Sequence, residues 1–174
     1  TKEQIKKKLN VAYVGDFKNG RAIIRLADNE FGLNNKFGFV DKDGNIVIPM
    51  KYDDVHDFSQ GLSAVKLNNK YGFIDINGNV VIPFIYDFTQ YFYDGWARVY
   101  KNGKVGHIGL NGEVIVPIIY DEIGYLTDKA QVQKDGKYGY INKKGKIIIP
   151  VIFDKAEARD DGRFYVKLND KRSY

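Results

Sequence analysis

"KYGFIDINGNVVIP", residues Lys70–Pro83, occurs in nearly the same form four times in this chain of 174 residues. The other copies begin at Lys36, Lys104 and Lys137 and read KFGFVDKDGNIVIP, KVGHIGLNGEVIVP and KYGYINKKGKIIIP. Each copy has a glycine at its third position and a proline at its end, spaced by 33 or 34 residues from copy to copy. These residues are Gly38, Gly72, Gly106 and Gly139, and Pro49, Pro83, Pro117 and Pro150. A fixed period of this size predicts an array of repeated structural units.

Each repeat continues beyond its proline with a Tyr-Asp or Phe-Asp pair and then a short alternating segment, such as LSAVKL at Leu62–Leu67. The aspartates of the pairs are Asp53, Asp87, Asp121 and Asp154. We expect them to brace turns by accepting backbone N–H bonds. The chain then divides into an N-terminal arm and half repeat with an insertion (1–35), four repeats (36–69, 70–103, 104–136 and 137–170) and a degraded start of a fifth repeat (171–174).

The composition of the repeat favours strands over helices, although a period of this length also fits helical arrays. Each repeat is rich in Val, Ile, Tyr and Phe that alternate with other residues, between Gly-containing turns. We assign three strands to a repeat, which in the second copy are a (KYGFID), b (NVVIPFIY) and c (LSAVKL). The sequence predicts an all-β array of about four three-stranded antiparallel units, with about thirteen strands in all. We expect the array to be elongated, and a closed β-propeller is the alternative.

Residues that favour turns, together with glycine and proline, indicate where these strands end or become irregular. Asn77-Gly78 predicts a tight turn from strand a to strand b. Asn68-Asn69 and Asn102-Gly103 predict turns from strand c to the next strand a. The motif glycine within strand a indicates a bulge or a close backbone approach, and the proline in strand b indicates an edge position or a strand end.

Composition and motifs argue against several classes of function. With no cysteine, the chain cannot form disulfides or use thiolate chemistry. The 27 basic and 22 acidic residues are interspersed, so a nucleic-acid tract is not expected. The chain has no apolar run of about 20 residues, so we expect no membrane span. DKDGN at Asp41–Asn45 has its glycine too early for a calcium loop and predicts a polar turn. We expect no catalytic residues, no metal site, no cofactor and no enzymatic activity.

The c strands predict an interaction surface. One face carries small or branched residues, such as Ala97 and Val99, and Phe164 and Val166 in the last copy, and should be buried. The opposite face includes Leu62 and Ala64 and varies between copies. Its candidate binding residues are Arg21, Arg25, Lys66, Trp96, Arg98, Tyr100, Lys129, Gln131, Arg163, Tyr165 and Lys167. Because Tyr, Trp and Arg are favoured at binding hot spots, we centre the predicted surface on Trp96, Arg98 and Tyr100.

The repeat resembles the bacterial WG-repeat family, also called KWG repeats. That family's unit reads approximately K-W-G-[YF]-I-D-x-x-G-x-x-V-I-x-P-x-Y-D, then F-x-x-G-x-A-x-V, and the resemblance covers Phe17 to Lys171. The family's tryptophan is replaced by Phe37, Tyr71, Val105 and Tyr138. The resemblance implies a β-rich array of bacterial origin, often attached to secreted, cell-surface or toxin-like proteins, with an interaction role and no established catalytic residues.

Together, these observations predict a non-catalytic repeat scaffold that mediates protein–protein interaction through the variable cationic and aromatic face of its c strands. One alternative is a glycan or cell-wall binding module, in which exposed aromatic rings stack on sugars. Another is a non-specific nucleic-acid binder, whose affinity would fall steeply with salt.

Overall fold

The computed structural model describes residues 1–26, 35–125 and 128–168, which form one helix and eighteen strands. The helix, α1, is Lys2–Leu9. The strands are β1 Val11–Val14, β2 Ala22–Leu26, β3 Phe37–Val40, β4 Ile46–Tyr52, β5 Asp54–Val55, β6 Leu62–Leu67, β7 Lys70–Asp75, β8 Val80–Tyr86, β9 Phe88–Thr89, β10 Trp96–Lys101, β11 Lys104–Gly109, β12 Val114–Tyr120, β13 Glu122–Ile123, β14 Lys129–Lys134, β15 Lys137–Asn142, β16 Ile147–Phe153, β17 Lys155–Ala158 and β18 Phe164–Lys167. Most of the predicted insertion and the predicted start of a fifth repeat lie outside the described residues.

The chain divides into two compact units, and each is built from antiparallel sheets. Unit 1 contains residues 1–98 and 110–112, and unit 2 contains residues 99–109 and 113–174. Unit 1 holds two four-stranded sheets, with the orders β1-β2-β3-β4 and β5-β6-β7-β8. Unit 2 holds the sheet β13-β14-β15-β16, the hairpin β17-β18 and the antiparallel pair of β11 and β12. The prediction of an all-β array of repeated antiparallel units is therefore confirmed.

The sheets have four strands instead of the predicted three. The additional strand lies directly after the Tyr-Asp pair, where β5 pairs with strand c through Asp54 opposite Lys66 and Val55 opposite Val65. A strand of two residues has no alternation, so the sequence pattern did not predict it. In order, the sheet contains β5 and strand c from one sequence repeat, followed by strands a and b from the next.

The glycine of strand a allows two backbones to approach closely. A Cβ atom on Gly72 would lie 2.6 Å from the carbonyl oxygen of Ile82 in strand b, and the pairing register of β7 with β8 shifts at the same point. The equivalent distances are 2.4 Å from Gly38 to Ile48, 2.5 Å from Gly106 to Val116 and 2.5 Å from Gly139 to Ile149. Only glycine fits at these four positions without a shift of the backbone.

The two kinds of hairpin use different turns. Between strands c and a, Asn68 and Asn69 have φ values of 51° and 63°, which is the two-residue turn that the sequence predicts. Between strands a and b, Gly78 is left-handed with φ of 88°, and its N–H donates to the carbonyl of Asp75 at 3.0 Å. The predicted tight turn therefore forms here as a three-residue loop with a bulge, in which Asn77 and Gly78 are the last two residues.

The hydrophobic core of unit 1 is shared between its neighbouring sheets. Phe39 and Ile48, from the first sheet, belong to the same buried cluster as Val65 and Ile74 from the second. Phe58 joins this cluster, with its ring centroid 4.9 Å from that of Phe39. The two sheets of unit 1 therefore bury apolar residues against each other, which explains why the same residues recur in both.

The proline of strand b lies in an edge strand. In the two sheets of unit 1, β4 and β8 are edge strands, and in unit 2 the same is true of β16. Because proline has no N–H to donate, it fits an edge strand and discourages pairing with a further strand. This placement agrees with one of the two positions that the sequence indicated for Pro49, Pro83 and Pro150.

Candidate functional site

A column of ion pairs holds the two halves of each sequence repeat together. The lysine that opens the motif pairs with the aspartate that follows strand b, and in the last copy Lys137 Nζ lies 2.5 Å from Asp154 Oδ1. The other pairs are Lys36–Asp53, Lys70–Asp87 and Lys104–Asp121. The hydrogen bond from Lys36 holds the pKa of the Asp53 carboxyl below its usual value.

The aspartate column also braces a turn. The second carboxylate oxygen of Asp121 accepts the backbone N–H of Asp135 at 2.6 Å, within the turn from strand c to strand a. Sequence reasoning predicted this kind of contact but missed the lysine partner, which lies 17 residues earlier in every pair. The constant spacing of the motif lysine and this aspartate was the signal that could have revealed it. These aspartates belong to the repeat framework, by which we mean the residues that recur in every copy and hold the strands and turns in place. That framework positions the side chains that vary between copies.

The DKDGN segment forms a turn whose carboxylate is engaged by the backbone. Asp41 Oδ1 accepts N–H bonds from Asp43 at 3.0 Å and from Asn45 at 2.8 Å. These bonds and the Asn45 side chain lower the pKa of Asp41. Asp75 makes the same contacts with Asn77 and Asn79 in the next repeat. Across the described residues, no group of three or more His, Asp or Glu side chains is placed to hold a metal ion.

The inward face of the c strands is buried, whereas the outward face is mostly half-buried. Ala97 and Val99 point into the core, and the equivalent residues of β2, β6 and β14 are buried in the same way. Two expectations were wrong: Leu62 and Ala64, predicted on the outward surface, are buried. Val166, predicted to be buried, is 37% exposed, because β18 belongs to a two-stranded sheet and has fewer neighbours.

In unit 1 the candidate residues of the c strands contact their own framework. Arg21 Nε donates to the carbonyl of Ile76 at 3.2 Å, and Lys66 Nζ lies 5.6 Å from the centre of the Tyr71 ring. Arg25 donates to the side chain of Asn35 at 2.7 Å. Trp96 and Arg98 are half-buried and alternate along β10. Unit 1 thus contains four cationic candidates and the tryptophan, which are Arg21, Arg25, Lys66, Arg98 and Trp96.

In unit 2 the candidate residues lie on β10, β14 and β18 or just before β18. Tyr100 is half-buried on β10. Lys129 Nζ lies 4.6 Å from the centre of the Phe164 ring, and Gln131 Nε2 donates to the carbonyl of Ala156 at 2.5 Å. The remaining candidates are Arg163, which pairs with Asp161, Tyr165, whose ring faces Lys155 and Arg159, and the exposed Lys167.

Sequence reasoning missed a ladder of stacked loops in unit 1. The loops Lys18–Arg21, Ser59–Leu62 and Tyr93–Trp96 each follow a phenylalanine and close with a bridge between their end residues. We call them the FxxG loops, because the phenylalanine is followed three residues later by a left-handed glycine: Gly20, Gly61 and Gly95. The recurrence of Phe-x-x-Gly was visible in the sequence, but nothing in one loop indicated that it contacts the next.

Beside these loops lies a cleft of about 490 Å³, which we call the loop cleft. Its floor is apolar, and its rim is polar with one exposed tyrosine. The lining residues are Lys18, Ile23, Val55, His56, Asp57, Phe58, Ser59 and Tyr91. At the rim, Lys18 Nζ lies 2.6 Å from Asp57 Oδ2. The cleft combines an apolar surface with convergent polar groups, which is typical of small-molecule sites.

Unit 2 has a smaller depression of about 260 Å³ at the equivalent place in the repeat. Gln131 there occupies the repeat position of Ile23, and Ala156 occupies that of Val55. The two depressions therefore share a framework and differ in the side chains that line them.

The comparisons agree with the repeated architecture. A family model described as "WG containing repeat" matches residues 37–71, 71–104, 106–138 and 138–171. No curated protein matches the chain. Among the described residues, no helix is long and apolar enough to cross a membrane.

Proposed function

The chain belongs to the WG-repeat family, and we propose that it is a non-catalytic scaffold that binds another protein through the outward face of its c strands. The proposal is carried by the contrast between a constant framework and a variable face. The motif ion pairs and strand-a glycines recur in all four copies. At one aligned position of strand c, the successive residues are Ile23, Ala64, Arg98, Gln131 and Tyr165, of which only Ala64 is buried.

The half-buried state of the outward face supports a binding role. A side chain that packs partly against its own framework has already lost part of its rotamer freedom before a partner arrives. Lys66 and Arg21 are held in this way by Tyr71 and by the carbonyl of Ile76. Binding then costs less conformational entropy than it would with freely rotating side chains.

Trp96 and Arg98 are the strongest candidates for the energetic centre of the face. They stand at alternate positions of β10 and retain part of their surface for a partner. Tryptophan and arginine are the residue types most enriched among positions that cost more than about 2 kcal/mol when truncated at an interface. The proposal therefore assigns most of the binding energy to this strand.

The test compares the wild type with Trp96→Ala/Arg98→Glu. A protein captured from the source cell by the immobilised chain is identified and purified, and its affinity for each form is measured by calorimetry. We expect the double variant to bind more weakly by about 30-fold or more, which corresponds to about 2 kcal/mol. Thermal unfolding, followed in parallel, should remain within a few degrees of the wild type.

The matched control is Val80→Ala/Lys42→Glu, which truncates one exposed apolar side chain and reverses one exposed cation, both outside the c strands. It should bind like the wild type. Equal weakening in both double variants would contradict the proposed face. If the chain instead captured only nucleic acid, with an affinity that fell steeply with salt, the proposed protein binding would be wrong. The chain would then be a non-specific nucleic-acid binder.

A further inference from the structure

The FxxG loops of unit 1 use their own backbone groups to stack on one another. Asn19 Nδ2 donates to the carbonyl of Phe58 at 2.7 Å, and Ser59 Oγ donates to the carbonyl of Phe92 at 2.7 Å. The N–H of Gly95 donates to the side chain of Gln60 at 2.9 Å. A ligand in the adjacent loop cleft therefore meets side chains more readily than loop carbonyls.

The strand nearest the loop cleft is also closed to strand addition. β5 is an edge strand of its sheet, but the N–H of Val55 donates to Asp54 Oδ1 at 2.9 Å. The other oxygen of Asp54 accepts the Tyr71 hydroxyl at 2.6 Å, which fixes the carboxylate in this position. An extended peptide that paired with β5 would have to displace these bonds. Recognition in the cleft must then come from its side chains.

Those side chains form three chemically distinct parts. Ile23, Val55 and Phe58 give an apolar floor, and Tyr91 presents an aromatic ring that is 59% exposed. The polar rim contains the Lys18–Asp57 ion pair and the His56 imidazole. Because the ammonium and the carboxylate are already paired, the rim offers donors and acceptors without a strong excess of either charge.

From this arrangement we propose that the loop cleft binds a neutral pyranose ring of a glycan. The apolar C–H face of the sugar lies against Tyr91 and the floor. Its hydroxyl groups donate to Asp57 and accept from Lys18, while His56 supplies a further polar contact. The volume of about 490 Å³ falls within the range of small-molecule sites. The cleft shares Ile23 with the c-strand face, but Lys18, Asp57 and Tyr91 lie outside the c strands, so this inference does not depend on the proposed protein interaction.

The full chain is titrated by calorimetry and by ¹H–¹⁵N NMR with soluble tetrasaccharides of glucose, mannose, galactose and N-acetylglucosamine. We expect at least one of them to bind saturably, with shifts at His56, Asp57 and Tyr91. Because the ligand is neutral, its affinity should be the same at low and high salt. Tyr91→Ala should weaken binding by about tenfold or more, as expected for the loss of an aromatic anchor.

The matched control is Tyr93→Ala, because Tyr93 is 63% exposed, lies two residues from Tyr91 and is absent from the cleft lining. It should retain wild-type affinity. Asp57→Asn, which keeps the shape and removes the charged acceptor, should weaken binding with little change in unfolding temperature.

The proposal is overturned if no tetrasaccharide binds at millimolar concentration, or if Tyr91→Ala and Tyr93→Ala have the same effect. Loss of sugar binding would leave the Trp96/Arg98 experiment unaffected, so the two proposals fail separately.

Discussion

At the scale of single residues, the motif glycine of strand a is the most constrained position in the repeat. A Cβ atom on Gly72 would meet the carbonyl oxygen of Ile82 at 2.6 Å and the backbone nitrogen of Phe84 at 3.0 Å. Backbone atoms of a paired strand cannot move aside as the end of a flexible side chain can. The glycine is therefore required by the close pairing of strands a and b and not by a ligand.

This geometry predicts that Gly72→Ala lowers the free energy of unfolding by about 2–3 kcal/mol, which is typical of overpacking. Gly124→Ala is the matched control, because the nearest atom to its added Cβ would be the carbonyl oxygen of Gln131 at an ordinary 3.5 Å. The control should change stability by no more than about 0.5 kcal/mol. Urea denaturation of both variants checks the prediction, and equal effects would show that the close approach relaxes at little cost.

At the scale of elements, the sequence predicted the strands and turns whose formation depends on a local pattern of residues. The alternation in KYGFID and VVIPFIY is long enough to identify two strands, and Asn68-Asn69 identifies the turn before them. The strand of Asp54–Val55 was missed because its formation depends on pairing with β6. The loop cleft was missed for the same reason, because Lys18, Asp57 and Tyr91 meet only after successive repeats have stacked.

The ion pair that joins strand a to the end of strand b predicts a dependence of stability on pH. Lys36 lowers the pKa of Asp53 below the unfolded value of 3.8. A carboxyl whose folded pKa is depressed stabilises the fold above the unfolded value, and this contribution is lost as the pH falls through the folded value. The stabilisation by this pair should thus be complete at neutral pH and should disappear only below about pH 3.8.

Lys36→Met tests this dependence. At pH 7 the variant should be less stable than the wild type by up to about 1 kcal/mol, as is usual for a partly exposed pair. At pH 2.5 the difference should shrink, because Asp53 becomes protonated in both proteins. Lys42→Met, in the exposed turn of Asp41–Asn45, is the control and should follow the wild type at both pH values. A constant deficit across the pH range would mean that the lysine acts through its aliphatic stem instead of its charge.

At the scale of the whole molecule, constant and variable residues have separate roles. The constant ones make the core, the strand-a approach and the ion pairs, so their pattern could be predicted from the repeat alone. The residues that differ between repeats lie on the c-strand face and in the loop cleft, and their neighbours come from other repeats. Burial of Leu62 and Ala64 could not be predicted for this reason, since the packing that covers them is not encoded in their own strand.

The shared core predicts that one substitution between sheets weakens both of them. Phe58 is buried and packs against Phe39 of the preceding sheet. Phe58→Ala should cost about 3–5 kcal/mol, because it removes a buried aromatic ring and leaves a cavity. Amide hydrogen exchange should then accelerate both in β2–β4 and in β6–β8, because neither sheet keeps its apolar face covered.

Phe88→Ala removes the same side chain from a position that is 45% exposed, where Phe88 contacts Tyr71. Its cost should stay near 1 kcal/mol, and any faster exchange should be confined to β7 and β9. If Phe58→Ala accelerated exchange in only one of the two sheets, the repeats would be energetically independent. The recurrence of the motif would then reflect the needs of each sheet alone and not those of its neighbour.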